Sequence, residues 1–404
     1  VASPDLIASL VAAVDSRQDE LVAWRRDLHT HPELSWRETR TTSFVSSRLA
    51  AAGIRVRPLP GTGLIAEVGA QEPAHRVALR ADLDGLPVPE RTGLAWASQT
   101  QDVCHACGHD VHTVAVLGAG LALQEHAEAL REKGIGVRLI FQPAEEVIPG
   151  GAHTVLEQGG LSGVDRALAV HCDPTIDVGQ VGLVEGPVTA AADSVTVTLS
   201  GKGGHTSRPH LTQDLTYALA KVVTDVPAAL SRRLDPRAGA ALVWGTIHAG
   251  GASNVIPASG QATGTLRMLD AEAWASTGTL IEDLVHEVVA PYGVSAQVEH
   301  VRGVPPVVND DAVVATLRAA AAAALDPGAA VPTRQSLGGE DFGWYLTGAS
   351  GASGALVRLG TRTPGGPTYE LHQGDLVVAD RAVLVAARLL AAACAVGGPT
   401  GTRK

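Results

Sequence analysis

A chain of 404 residues, 45% of them hydrophobic, is too long for one ordinary domain and can fill two packed cores. With 42 acidic against 31 basic residues and a net charge of -11, it offers no basic footprint for nucleic acid or for an anionic membrane, which leaves a small molecule as the expected partner. Aromatic residues at 3% beside 45 glycines point to a tightly turned α/β enzyme, not a repeat array or a disordered chain.

The start, VASPDLIASLVAAVDSRQDE, lacks the basic leader and continuous apolar core of a signal peptide. Two helices are expected first, Asp5 to Leu28 and Arg37 to Ala52, the second closed by Gly53 in a left-handed cap. Strand and helix signals then alternate: strands at Arg76 to Leu83 and Gly136 to Gln142, a helix from Thr113 to about Leu130 between them, and short apolar strands at Ala167 to His171 and Ala355 to Leu359. This alternation predicts a mostly parallel sheet covered by helices, with its ligand site beyond the carboxyl ends of the strands. The run Ala382 to Gly397 contains Arg388, is too short to span a bilayer and reads as a terminal amphipathic helix.

The middle of the chain has another rhythm. Ser194 to Ser200 alternates strictly; a helix follows from about Leu211 to Leu230, then strands at Ala240 to His248 and Gln261 to Leu269, a helix capped by Asp270, and a strand at Val294 to Val301. The order β-α-β-β-α-β is ferredoxin-like. Residues 189–302 are therefore expected to form an inserted α+β domain, with the catalytic domain built from residues 1–188 and 303–404.

The chemistry-bearing residues cluster. CHACGHDVHT, residues 104–113, sets Cys107 and His109 two apart, so that a thiolate and an imidazole can face one metal from an extended loop. A lone CxxC is as often a redox pair, and there is no second one to complete a structural zinc site. FQPAEE leaves a strand through Pro143 and places Glu145 and Glu146 at its end, where diverging side chains let one hold a metal and the other face water; the bland alternative is two solvated glutamates. His171 follows the apolar strand ALAV and, taken alone, is more often structural than a ligand. All of these fall where strands of one parallel sheet end, so they should meet in one crevice. The four cysteines, Cys104, Cys107, Cys172 and Cys394, are too few and too uneven for a disulfide framework, which favours a reducing, cytoplasmic setting.

The ordered set HPELSWRE, LRADLDGLPVPE, CHACGHDVHT, FQPAEE, GGHTSRPH, SNVIP, GGEDF and LHQGD resembles the M20 metallopeptidase superfamily, most closely its aminoacylase and auxin-conjugate hydrolase branch. The resemblance implies a di-metal catalytic domain and an inserted lid that pairs in a homodimer. It implies Cys107 bridging two metal ions, imidazoles from His109 and His171, completion by Glu146 and His372, and Glu145 as general base to a metal-activated water. Asp84 is expected to orient a ligand, and Asp82 stands where the broader superfamily has a ligand His, which marks the Cys-containing branch. Thiolate and imidazole favour zinc, while the carboxylates leave manganese, cobalt or nickel open. From the lid, His205 is implied to serve the partner subunit's site, with Asn254 and Arg267 contacting substrate. Without those motifs each reads as an ordinary surface residue.

Two segments depart from the branch pattern, VIPGGA at 147–152 and Leu376 where an aromatic is usual; both are expected at the pocket wall. The implied activity is hydrolysis of N-acyl amino acids, with a dipeptidase or a deacylase of a cysteine or diaminopimelate conjugate as the alternative. A metal-free binding protein is disfavoured because the base and all the ligand residues are present, and a redox role for Cys104 and Cys107 because it needs a low-pKa thiol without metal.

Overall fold

The computed structural model describes residues 4–348 and 352–396. Contacts between Cα atoms divide the chain into two compact units, one of residues 1–186, 308–334 and 341–404, the other of residues 187–307 and 335–340.

The first unit is built on an eight-stranded sheet in the order Val56–Pro58, Leu64–Gly69, Ile135–Gln142, His75–Asp82, Arg166–Asp177, Ser353–Arg362, Val181–Leu183, Ala330–Pro332. The four central strands run parallel, and Leu64–Gly69 and Val181–Leu183 join them antiparallel. The central strands are buried on both faces, as crossover helices require, so apolar residues dominate them, with Arg80, Arg138 and Arg358 as buried exceptions. Their register brings Asp82 beside Gln142 and His171 beside Arg358, so the chemistry-bearing residues gather at the carboxyl ends of neighbouring strands.

The helix His109–Glu125 is buried along nearly its whole length and packs between the sheet and the helix Arg381–Ala395. It starts four residues earlier than its apolar run indicates, because Gly108 takes a left-handed φ of 85° and lets His109 open the first turn. A short helix, Ala127–Glu132, follows a break at His126. The expected single helix at the start is two, Pro4–Asp15 and Gln18–Thr30, turning where Arg17 is held by Glu125 and Glu20. Gly53 closes Thr39–Ala51 with a φ of 73°. The helix Arg381–Ala395 keeps its charges on one stripe, where Arg381 reaches Asp326 and Arg388 reaches Asp15, and is buried on almost every other side, since its alanines admit close neighbours. The end of the expected run, Gly397, lies outside the described residues.

The second unit is an antiparallel four-stranded sheet in the order Ala241–Ala249, Ser259–Met268, Ala191–Ser200, Ser295–Val304, with helices Leu215–Arg233 and Ala271–Val289. With a chain order of β-α-β-β-α-β, this is the ferredoxin-like arrangement. Strict alternation in Ala191–Ser200 and Ser259–Met268 puts Val195, Val197, Leu199, Ala262, Leu266 and Met268 in the core. Asp214 and Asp270 cap the two helices through the backbone N–H groups of Tyr217 and Ala273. The segment 335–340 joins this unit because Ser336 donates to the Val188 carbonyl and Ala190 to that of Gly338. Its distance in sequence hides that pairing.

Candidate metal centre

Glu145 and Glu146 are aimed by a kink. After Pro143, Ala144 takes a left-handed φ of 51°, and its N–H donates to the buried Glu38 carboxylate at 2.8 Å. The other oxygen of Glu38 accepts from Thr62 at 2.6 Å, and burial pushes this carboxyl above its ordinary range. Asp84 Oδ2 accepts from the Glu146 N–H at 3.0 Å and from Ser35 at 2.7 Å. His372 is likewise left-handed, φ 63°, and its N–H donates to the Ala106 carbonyl at 2.7 Å, which docks its loop on the Cys107 segment.

These constraints bring the expected ligands together. Within the first unit, Cys107, His109 and His171 form one group and Cys107, Glu146 and His372 another, with the donor atoms of each group inside 4.8 Å of one another. Cys107 belongs to both. Glu145 and Glu146 meet His109, whose Nε2 lies 3.9 Å from Glu145 Oε2 and 3.7 Å from Glu146 Oε1. His109 Nδ1 is taken by the Asp84 carbonyl at 2.9 Å, which leaves Nε2 for a ligand.

Two buried atoms fit a cation in particular. Among the described residues, His109 Nε2 and Glu146 Oε1 find no hydrogen-bond partner, although His372 Nε2 stands 3.3 Å from that oxygen. Buried polar atoms that converge without bonding one another are costly unless something charged joins them. The donor set of one thiol, three imidazoles and one carboxylate is of the kind that binds transition metals.

The electrostatics agree. Burial, with Glu146 and Glu145 nearby, pushes the Cys107 thiol well up, so without a cation it keeps its proton. Burial, helped by Arg358 and His112, pushes His171 well below its usual value and keeps it a neutral imidazole. For His109, burial works against protonation but is outweighed by Asp82, Asp84 and Glu146, which hold it up to about 10. Cys104 is buried, free and pushed up to about 11 by burial and Glu90, the opposite of a redox-active thiol.

His205, Asn254 and Arg267 lie in the second unit. His205 is exposed in the short strand Gly204–His205, opposite Val255, and its Nδ1 accepts from the Ser207 N–H at 3.1 Å, which places the ring proton on Nε2. Asn254 is exposed beside it, its carbonyl accepting from the Thr206 N–H. Arg267 points away from the apolar face of its strand as its spacing predicts, but is not unengaged: Nη1 donates to the Leu337 carbonyl at 2.9 Å.

Leu376 is 4% exposed and packs into the hydrophobic core. In the VIPGGA segment, by contrast, Val147 and Ile148 are exposed.

The sequence matches Peptidase family M20/M25/M40 over residues 78–395. The chain belongs to that family. It is 38% identical to an N-acetyl-L-cysteine deacetylase of Bacillus subtilis (strain 168), over 81% of this chain and 78% of that one. A Rhodococcus jostii (strain RHA1) protein that carries a glutamate–cysteine ligase name is 45% identical over 93% of this chain, which spans 46% of that protein's length. Among solved structures, a dinuclear metal binding peptidase of the M20 family from Bacillus subtilis superposes with a TM-score of 0.81 at 32% identity, covering 94% of this chain and 98% of that one. Among the described residues, no helix is long and apolar enough to cross a membrane.

Proposed function

We propose that this M20 hydrolase cleaves the amide bond of N-acyl amino acids, using two divalent transition-metal ions, to release a carboxylic acid and a free amino acid. The observation that carries the reading is the pair of donor groups sharing Cys107, with Glu145 beside them. Cys107, His109, Glu146, His171 and His372 would hold the ions, with the Cys107 thiolate common to both donor groups. When bound, the ions bring the pKa of a water down to about 7 and polarise the acyl carbonyl.

The protein's own groups do the rest. The Glu145 carboxylate takes the proton of the attacking water and returns it to the leaving nitrogen, a contribution of about 10²- to 10⁴-fold. Asp84 holds the His109 ring and the Glu146 backbone, so neither must reorganise as charge develops. His205 offers Nε2–H to the developing oxyanion, and Asn254 and Arg267 bind substrate, the guanidinium reading the α-carboxylate. The second unit is read as a lid and dimerisation domain: its edge strand Ala241–Ala249 leaves Val243 61% and Ile247 50% exposed, an edge suited to a second copy, with His205 serving the partner subunit's site. The four free, buried cysteines support a cytoplasmic setting. Thiolate and imidazole favour zinc, with manganese, cobalt or nickel as alternatives.

Deacylation of a cysteine conjugate is the second reading, favoured by the likeness to the N-acetyl-L-cysteine deacetylase. Metal content by mass spectrometry on protein purified without added metal, followed by hydrolysis of N-acetyl, N-benzoyl, N-acetylcysteine and dipeptide substrates, tests both. Full activity in metal-free protein would overturn the mechanism, and a preference for dipeptides the substrate class.

A further inference from the structure

His112 lies outside the ligand set proposed above, although Asp82, His109 and His112 also bring donor atoms within 4.8 Å of one another, and its ring stands 5.4 Å from His109 and 5.4 Å from His171. It is fully buried and both of its nitrogens are engaged. Nε2 accepts from the Cys172 backbone N–H at 2.9 Å. A backbone N–H only donates, so the ring proton must sit on Nδ1, which donates to Asp82 Oδ1 at 2.6 Å. Asp82 Oδ2 accepts in turn from Arg80 Nη1 at 2.6 Å, and Arg80 is braced by Gln142 at 3.1 Å and Asp341 at 2.6 Å. Beyond Cys172 the line continues: the Cys172 carbonyl accepts from His171 Nδ1 at 2.9 Å, so the His171 proton is on Nδ1 and its Nε2 lone pair stands 3.5 Å from Cys107 Sγ.

We propose that His112 is a positioning residue which, anchored by Asp82 and Arg80, clamps the Cys172 backbone and so fixes the tautomer and aim of the metal ligand His171. The inference rests on the di-metal reading above. It accounts for Asp82 as well. This carboxylate lies 3.7 Å from His109 Nε2, within reach of the same cation, while its oxygens accept from His112 and Arg80 at 2.6 Å each. Asp82 therefore supports the centre from behind. A merely space-filling His112 would need only its volume, whereas a clamp needs an acceptor at the Nε2 position.

Two substitutions separate these. His112→Gln can place an amide oxygen where Nε2 accepts, while His112→Asn keeps only the group nearer Asp82. Long-range ¹H–¹⁵N spectra of the metal-free protein should show Nδ1–H on both His112 and His171 in the wild type, retention for His171 in His112→Gln, and mixed tautomers in His112→Asn. Zinc titration against a competing chelator should find one of two sites weakened roughly 10- to 100-fold in His112→Asn, near wild-type affinity in His112→Gln, and the second site unchanged in both. Equal behaviour of the two variants, or equal weakening of both sites, would overturn the proposal. So would Nε2–H on His112 or His171 in the wild type, a result that needs no variant to fold. A wild type that binds none of zinc, manganese, cobalt or nickel would refute the di-metal reading itself, whatever the tautomers.

Discussion

Ala144 and His372 are non-glycine residues held at φ 51° and 63°, a backbone state that costs roughly 1–2 kcal/mol; the N–H of each donates to a fixed acceptor, and the Ala144 carbonyl also accepts from Gly151. Glu38→Ala removes the acceptor for the Ala144 N–H and for Thr62 together; we expect a stability loss of about 1–3 kcal/mol in urea unfolding and weaker metal binding, since the kink no longer aims Glu146. Glu145→Gln should keep the fold and its metal content but lose turnover, because an amide cannot take the water's proton, whereas Glu146→Gln should lower metal affinity. Metal analysis beside single-substrate kinetics checks both, and swapped phenotypes would reverse the assignment within the pair. Arg267 keeps donors beyond the one given to Leu337. Arg267→Ala should reduce kcat/KM for N-acyl amino acids by roughly ten- to a hundredfold, as expected for a charge-assisted contact of about 1.5–3 kcal/mol, and much less for substrates with an amidated carboxylate. An equal loss on both would make it a strut of its own unit.

Between elements, the helices Gln18–Thr30 and His109–Glu125 are joined by a buried charge cluster. Asp110 Oδ2 accepts from Arg25 at 2.8 Å and from His29 at 2.9 Å, and His29 reaches Glu90 at 3.2 Å. For His29, burial opposes protonation but Asp110 and Glu90 outweigh it and raise it to about 9; Asp110 is held far below the carboxylate range against the same burial penalty by Arg25 and His29. A histidine raised above its ordinary 6.5 contributes stability that is complete below that pH and lost as the pH climbs through the folded value. The protein should therefore lose on the order of 1–3 kcal/mol between about pH 6 and about pH 9.5. His29→Gln should reduce that slope, measured by urea unfolding of metal-free protein at both pH values, with the remainder belonging to His109, held up to about 10; an unchanged slope would place the titration elsewhere. Asp110 works in the opposite direction, its contribution present at neutral pH and lost only in acid.

At the scale of the molecule, the homodimer reading makes a complementation prediction. Chains carrying His205→Ala and Glu145→Gln, each inactive alone, should recover part of the activity when mixed, because one composite site then has both an intact His205 and an intact Glu145. Confirmed subunit exchange without recovery would confine His205 to its own chain or remove it from the reaction. A charge on the exposed edge, Ile247→Lys, should lower the dimer fraction in analytical ultracentrifugation while leaving each chain folded, since Ile247 is 50% exposed.

Much of this was legible in one dimension. The alternation of apolar strands with helices specifies a largely parallel sheet, and a ligand site at strand ends follows from that topology, so Cys107, His109, Glu145, Glu146 and His171 could be gathered before any coordinates. The period-two pattern of Ala191–Ser200 and Ser259–Met268 likewise marks the second core, because one buried face imposes it. His372 was reached through family likeness alone, since a ligand on a loop is placed by its docking to Ala106, not by periodicity. What only the tertiary structure decided is partnership at long sequence separation: Glu38 under Ala144, Ser35 and Glu146 on one oxygen of Asp84, His112 and Arg80 on the two oxygens of Asp82, and the second unit's capture of 335–340. Local pattern records which face of an element is buried. It carries no record of which distant donor meets a given acceptor, and buried polar groups must find such a partner wherever the fold supplies one.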